Sequence, residues 1–238
     1  MRPALMHKLA VFVEGYTEVL FVERLISEIA GSHNVVVEQR KIRGGKKAKR
    51  TISTIKAARN ATDEKYYVLL VDCGGEDLVK SRIIEEHLNF SNSGYQKIIG
   101  IRDVRPKFSV ADIPKLELNL NKYIKTSLIP VEFILSVMEI EAWFLAEFQH
   151  FPKIHPSITL ELIRKNLGFD PEQGDMALRP TPTADLRAAY LLGGQKYETG
   201  QDLERTVNAL DLPYVYIELK EKIPYLRRLC GSIDGFLS

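Results

Sequence analysis

Glu14, Asp72 and Asp103 each close a short apolar run: VFV before Glu14, YYVLLV before Asp72, and a run ending in Ile101-Arg102 before Asp103. Glu18 follows Glu14 by four residues, and Glu139 and Glu141 follow the apolar run at 131–137. Taken singly, each acid has an ordinary reading. Asp at the end of a strand caps a helix or starts a turn, Glu18 suits the positive end of a helix dipole, and Glu139 and Glu141 read as a polar helix start. Taken together, they are carboxylates at the ends of separate strands. Gathered at one place, such groups repel each other and are costly to bury uncompensated. A divalent cation relieves both problems, and hard oxygen ligands suit Mg2+ or Mn2+.

What would gather them is a parallel sheet. Residues 8–13, 66–71, 97–101 and 131–137 read as strands, and 35–37 begins another with three valines. The YYVLLV run is apolar throughout, as the interior of a parallel sheet requires. Residues 17–30 carry Val19, Val22, Leu25, Ile26 and Ile29 on one stripe, which predicts an amphipathic helix. Residues 51–61, 76–88 and 139–148 also read as helices. Strand and helix thus alternate through residue 150, which predicts an α/β fold with a mostly parallel sheet flanked by helices. All strand ends of such a sheet lie along one edge, where ligands bind. Prolines at 152, 156, 171, 180, 182 and 213 punctuate the rest, so residues 151–238 read as a helical C-terminal appendage to a domain at 1–150. Two residues apart on a helix point about 200° apart. Glu139 and Glu141 therefore share an ion only if the helix does not contain both.

The totals narrow the class. With 238 residues, 45% hydrophobic and 27% charged, the chain reads as an ordinary globular protein. It has no apolar run long enough for a membrane span and no signal-peptide pattern at its start. Two distant cysteines with no CxxC spacing fit a reduced, cytoplasmic setting. The five histidines show no ligand spacing, and His150 and His155, beside prolines, read as linker residues. Trp143 reads as core, and the stretch at 190–200 that holds Lys196 and Tyr197 as a surface loop.

The segment VEGYTEVLFVERL resembles the first motif of the Toprim domain, in which a strand ends on a glutamate followed by glycine. Its second acid, at Glu18, is similar to that of the overcoming-lysogenization-defect nuclease branch. LLVDCGG resembles the second motif, normally Asp-x-Asp. Asp72 matches the first acid, and Gly74 stands where the second belongs, so a ligand is missing or is supplied by Asp103 or Glu76. SVMEIEAWFLAE resembles the Glu-x-Glu-Ala-Trp segment of uncharacterised bacterial Toprim-like proteins. The resemblance covers residues 8–148. It implies a nuclease that hydrolyses phosphodiesters of DNA or RNA, tRNA included, and acts as an effector in anti-phage defence with an ATPase partner. It also implies that Glu14, Glu18 and Asp72 are catalytic and hold Mg2+ or Mn2+, with Asp103, Glu139 and Glu141 completing the metal set. The metal would lower the pKa of a bound water and stabilise charge on the phosphate.

Around this centre lies positive charge. KIRGGKKAKR reads as a flexible basic loop whose Lys41, Arg43, Lys46, Lys47, Lys49 and Arg50 suit a phosphate backbone. Its spacing is not that of a P-loop. Arg102, Arg105 and Lys107 form a second basic group. A homodimer is expected without a residue to carry it. Two other readings stay open: a Toprim-like module that has lost catalysis and binds nucleic acid or a partner, and a metal-dependent phosphatase-like enzyme for small molecules.

Overall fold

A computed structural model describes residues 6–31, 35–45, 48–59, 64–75, 77–104, 108–198 and 200–238. Six strands form one sheet: β1 (His7–Val13), β2 (Val35–Arg43), β3 (Thr51–Lys56), β4 (Tyr66–Asp72), β5 (Lys97–Asp103) and β6 (Val131–Ser136), in the order β3-β2-β4-β1-β5-β6. β1 runs parallel to both β4 and β5, and β2 parallel to β4, while β2 and β3 are antiparallel. The α/β class and the mostly parallel sheet are as the alternation predicts. The apolar runs of β1 and β4 are buried on both faces, which explains why neither alternates.

Two helices cover opposite faces. Phe12, Val71 and Arg40 are in register across β1, β4 and β2, so they share a face. That face carries α2 (Leu78–Asn92), where Phe90 meets Phe12 edge-on at 5.5 Å. Gln39 points the other way and donates to Glu23 of α1 (Tyr16–Ala30) at 2.5 Å. The chain therefore leaves β1 over one face and β4 over the other. These two adjacent strands are a topological switch point, the place where open α/β sheets bind ligands. A third helix, α3 (Ile113–Asn121), lies between β5 and β6 in the chain.

One expectation fails outright. Residues 51–56 form strand β3, not a helix. TISTIK is rich in β-branched residues, which lose rotamer freedom in a helix, and antiparallel pairing with β2 supplies the backbone partners. All six of its residues are exposed, so no apolar face betrays its period. The basic stretch is corrected with it: Lys41 and Arg43 belong to β2, and β3 begins directly after Arg50.

Contacts gather the chain into two compact units. The first comprises residues 1–102, 112–135 and 231–238, and the second residues 103–111 and 136–230. The boundary expected near residue 150 falls inside the second unit. That unit is helical, with α4 (Glu141–Ala146), α5 (Phe151–Ile154), α6 (Leu160–Leu167), α7 (Pro182–Leu191) and α8 (Gln201–Ala209) among its helices. Among the described residues, no helix is long and apolar enough to cross a membrane.

Packing on the α2 face is tight at β5. A Cβ built on Gly100 would lie 2.8 Å from both Ile83 Cδ1 and Phe133 Cδ1. Gly100→Ala is expected to cost roughly 1–3 kcal/mol through overpacking and to lower Tm by a few degrees. Thermal unfolding with no measurable shift would mean that the two side chains yield freely.

Candidate active site

Glu14 stands one residue beyond β1, and Asp72 is the last residue of β4. Val13 pairs in register with Asp72, and the backbone stays zipped past the strand ends: Cys73 N–H donates to Val13 O and Gly75 N–H to Glu14 O, each at 2.9 Å. The two acids thus sit side by side on the rim at the switch point. Both are buried, Glu14 to 6% exposure and Asp72 to 0%.

Glu18 joins them from the first turn of α1. A Cβ on residue 15 would lie 3.3 Å from Glu18 Oε2, so the carboxylate folds back over Gly15. Gly15 itself is extended, with φ −150°, and supplies room rather than a sharp turn. Gly15 caps the helix without a side chain, which leaves the negative charge of Glu18 to offset the positive end of its dipole.

Cations reach the same rim. Lys41, beside Asp72 in the β2–β4 register, places Nζ 2.5 Å from Asp72 Oδ2. Gly74 N–H donates to Asp72 Oδ1 at 2.8 Å, so both oxygens are engaged. Arg102 brings Nε to 4.0 Å from Glu14 Oε1 and a terminal nitrogen to 3.3 Å from Asp77. Gly74 explains the departure from an Asp-x-Asp pair. Its φ of +77° is left-handed, and a Cβ there would lie 3.0 Å from Ile42 O. An acid at 74 would strain this turn. Burial, aided by the charges of Asp72 and Glu14, pushes the Cys73 thiol up and keeps it protonated, so it is no nucleophile.

The hairpin holds the basic residues apart from one another. Arg50 pairs with Glu86 and, at 3.2 Å, with Glu85, and buried Arg82 of α2 donates to Gly44 O. Lys56 pairs with Glu23 of α1. Both ends of β3 are therefore pinned, one to each helix. Arg43 and Lys49 are exposed. Lys46, Lys47, Arg105, Lys107 and Glu76 lie outside the described residues.

The remaining candidate ligands belong to the second unit. Asp103, half-buried, ends β5. Glu139 precedes α4, so the two glutamates do not share a helix. Its Oε2 accepts from Thr183 N–H at 2.9 Å and Thr183 Oγ1 at 2.7 Å, in the first turn of α7. Glu141 accepts from the Tyr197 hydroxyl at 2.7 Å. Tyr197 is buried rather than part of a surface loop, and so is His150, whose Nδ1 lies 3.3 Å from Glu147 Oε2 inside the unit. Trp143 is core, as expected. Burial raises the Glu141 pKa above its ordinary 4.5, against the opposing Tyr197 hydrogen bond. A raised folded pKa favours the folded state at acid pH, and that advantage is lost as pH climbs from 4.5 through the folded value. Glu141→Gln keeps an acceptor for Tyr197 and never ionises. Its stability relative to the native chain should therefore rise as pH climbs from 4.5 to the folded value and level off above it, as urea unfolding at several pH values would measure; a pH-independent difference would refute it.

The donors at the rim suit a hard divalent cation in kind: three carboxylates, two of them on adjacent strand ends. They are not a ready-made ligand set. Among the described residues, no three His, Cys, Asp or Glu side chains are grouped to hold a metal ion. An ammonium stands at Asp72 and a guanidinium near Glu14 instead. The fold and rim define an α/β protein with acids paired to cations at its switch point. No protein-family model, no curated protein and no solved structure matches the chain.

Proposed function

We propose that the chain is a divalent-metal-dependent nuclease that hydrolyses phosphodiester bonds of DNA or RNA. The observation that carries this reading is the convergence of Glu14 and Asp72, both buried, on neighbouring strand ends at the switch point, with Glu18 folded back over Gly15 next to Glu14 in the chain. Glu14, Glu18 and Asp72 would hold Mg2+ or Mn2+, which when bound activates water and offsets charge on a phosphate. The chain's own part is positional. The β1–β4 register fixes the spacing of two carboxylates, the Gly74 N–H orients that of Asp72, and Lys41 and Arg102 keep the rim attractive to a polyanion. Glu139 and Glu141 have hydrogen-bonding tasks inside their own unit, to which Asp103 also belongs, so the reading rests on Glu14, Glu18 and Asp72. An anti-phage role in the cytoplasm, an ATPase partner and a homodimer follow from the Toprim resemblance or from general expectation.

The second reading is a non-catalytic module that binds nucleic acid or a partner. It is favoured by the Lys41–Asp72 pair and by Gly74, which together occupy both oxygens of the second-motif acid. One experiment separates the two. Plasmid DNA and tRNA are incubated with the protein in Mn2+, Mg2+ or EDTA, and calorimetry reports metal binding alone. Cleavage that requires metal supports the nuclease. Nucleic-acid binding without cleavage or metal uptake supports the module.

A further inference from the structure

A cavity of about 530 Å3 lies in the first unit on the α2 side of the sheet, and the acidic rim contributes no residue to its lining. Its volume is within the range of small-molecule sites, but its walls are unusual for one. Three rings line it: Tyr67 of β4, Phe90 of α2, and Tyr95. Phe90 and Tyr95 meet edge to face at 4.5 Å, and Tyr67 and Tyr95 edge to face at 6.3 Å, so the three form one aromatic cluster in the wall. Two cations bracket it. Lys8 lies in register with Tyr67 on β1, its Nζ 5.9 Å from the Tyr95 ring centre. Arg40 is in register with Val71, four residues further along β4 and on its other side. At about 3.3 Å per residue and 4.8 Å per strand, the two backbones stand roughly 16 Å apart.

Both cations and the acid on the wall have partners within the chain. Glu38 takes Arg40 Nε on Oε1, at 2.5 Å, and the Tyr67 hydroxyl on Oε2, at 2.7 Å. That fixes the guanidinium by one edge and leaves its terminal nitrogens to point elsewhere; the Arg40 side chain is 41% exposed. Lys8 spends one proton on Ser93 O, at 3.1 Å. The one acid on the wall, Glu86, is already neutralised by Arg50. The Tyr67 hydroxyl is committed to Glu38, so its ring offers a face rather than a polar tip.

We infer that this cavity is a track for single-stranded nucleic acid, with bases stacked on Tyr67, Phe90 and Tyr95 and successive phosphates held by Lys8 and Arg40. A strand carries one phosphate per nucleotide and so can meet both cations along its length. Aromatic rings between cations suit unpaired bases of any sequence. A duplex keeps its base faces covered, so it gains only the ionic part. The inference deepens the nucleic-acid reading above and rests on it, but it does not need the chain to cut.

Binding is measured by fluorescence anisotropy in EDTA. The probes are a labelled oligothymidylate, an oligouridylate, a duplex of equal length and a mononucleotide, and the proteins are native, Lys8→Gln, Arg40→Gln and Phe90→Ala. The single strands should bind more tightly than the duplex. Phe90→Ala should weaken them roughly 5–150-fold, the equivalent of one stacked base. Lys8→Gln and Arg40→Gln should each lower the salt slope by about 0.7, one phosphate contact apiece. These two lie at the cavity edge and serve as the test should Phe90→Ala fold poorly, since Phe90 also packs on Phe12. The native protein is also assayed for cleavage of the same strands in Mn2+, so a dead nuclease site and a missing track give different results. Equal or tighter duplex binding, unaltered salt slopes in Lys8→Gln and Arg40→Gln, or a mononucleotide that binds as well as the oligomers would each overturn the track.

Discussion

Glu14→Gln should abolish metal-dependent cleavage while leaving the fold intact. The loss is expected to reach at least about 10²–10³-fold, the range seen when one electrostatic group is removed from a transition-state site. The substitution keeps the size and one acceptor oxygen of the side chain, and its neighbour Arg102 retains Asp77 at 3.3 Å. The change in stability should therefore stay within about 1 kcal/mol. Two measurements define the result: the nicking rate on plasmid and tRNA with Mn2+, and the Tm of the same preparation. Cleavage at the native rate would move the active site elsewhere. A collapse of Tm would show that Glu14 serves the fold instead. Because Glu14 is 6% exposed and flanked by Glu18, a third result is informative: if Mn2+ raises the Tm of the native chain but not that of the variant, Glu14 is a ligand even where cleavage is too slow to follow.

How far this site can be read from the sequence depends on which interaction positions each residue. That Glu14 and Asp72 lie on one edge of the sheet follows from local patterns, whereas the adjacency of β1 and β4 is a fact of strand order. Two apolar runs with helices between them imply parallel strands, and parallel strands end on one edge. β3 was not legible, because a strand exposed on both faces has no alternating burial to leave a period of two, and its partner in β2 supplies the deciding bonds. Lys41 reads as one cation in a basic run. That it faces Asp72, 31 residues away, is a fact of register between β2 and β4, and a slip of one residue would have turned it to the other face. Glu139 and Glu141 illustrate the same limit. Their partners Thr183 and Tyr197 lie 44 and 56 residues on, in a helical unit whose packing no local motif announces. The substitution of Gly74 for an acid is visible in the sequence, but its cause, a left-handed turn crowded by Ile42 O, is visible only in three dimensions.

Lys41→Met separates the two roles that Asp72 can play. In the native chain the Asp72 carboxylate, with 0% exposure, has Lys41 on one oxygen and the Gly74 N–H on the other. Removing the ammonium leaves a buried charge with half its partners. Breaking a fully buried pair costs about 3–5 kcal/mol. The Lys41 side chain is 27% exposed, so water already screens the pair in part and the expected loss is roughly 2–4 kcal/mol. A cation competing for the same oxygen would now bind unopposed. Saturating Mn2+, at about 100 times its Kd, adds about 2.7 kcal/mol to any state that holds it. Mn2+ should therefore raise the Tm of Lys41→Met more than that of the native chain and restore much of the lost stability. The double variant Lys41→Met/Asp72→Asn supplies the control. With the charge gone it should regain stability without metal, and Mn2+ should help it little. If Mn2+ fails to rescue Lys41→Met while the double variant recovers, Asp72 is a structural anion held by Lys41, and the module without catalysis becomes the better reading. If Lys41→Met is as stable as the native chain from the outset, the pair contributes nothing and the rim is already open to a metal ion.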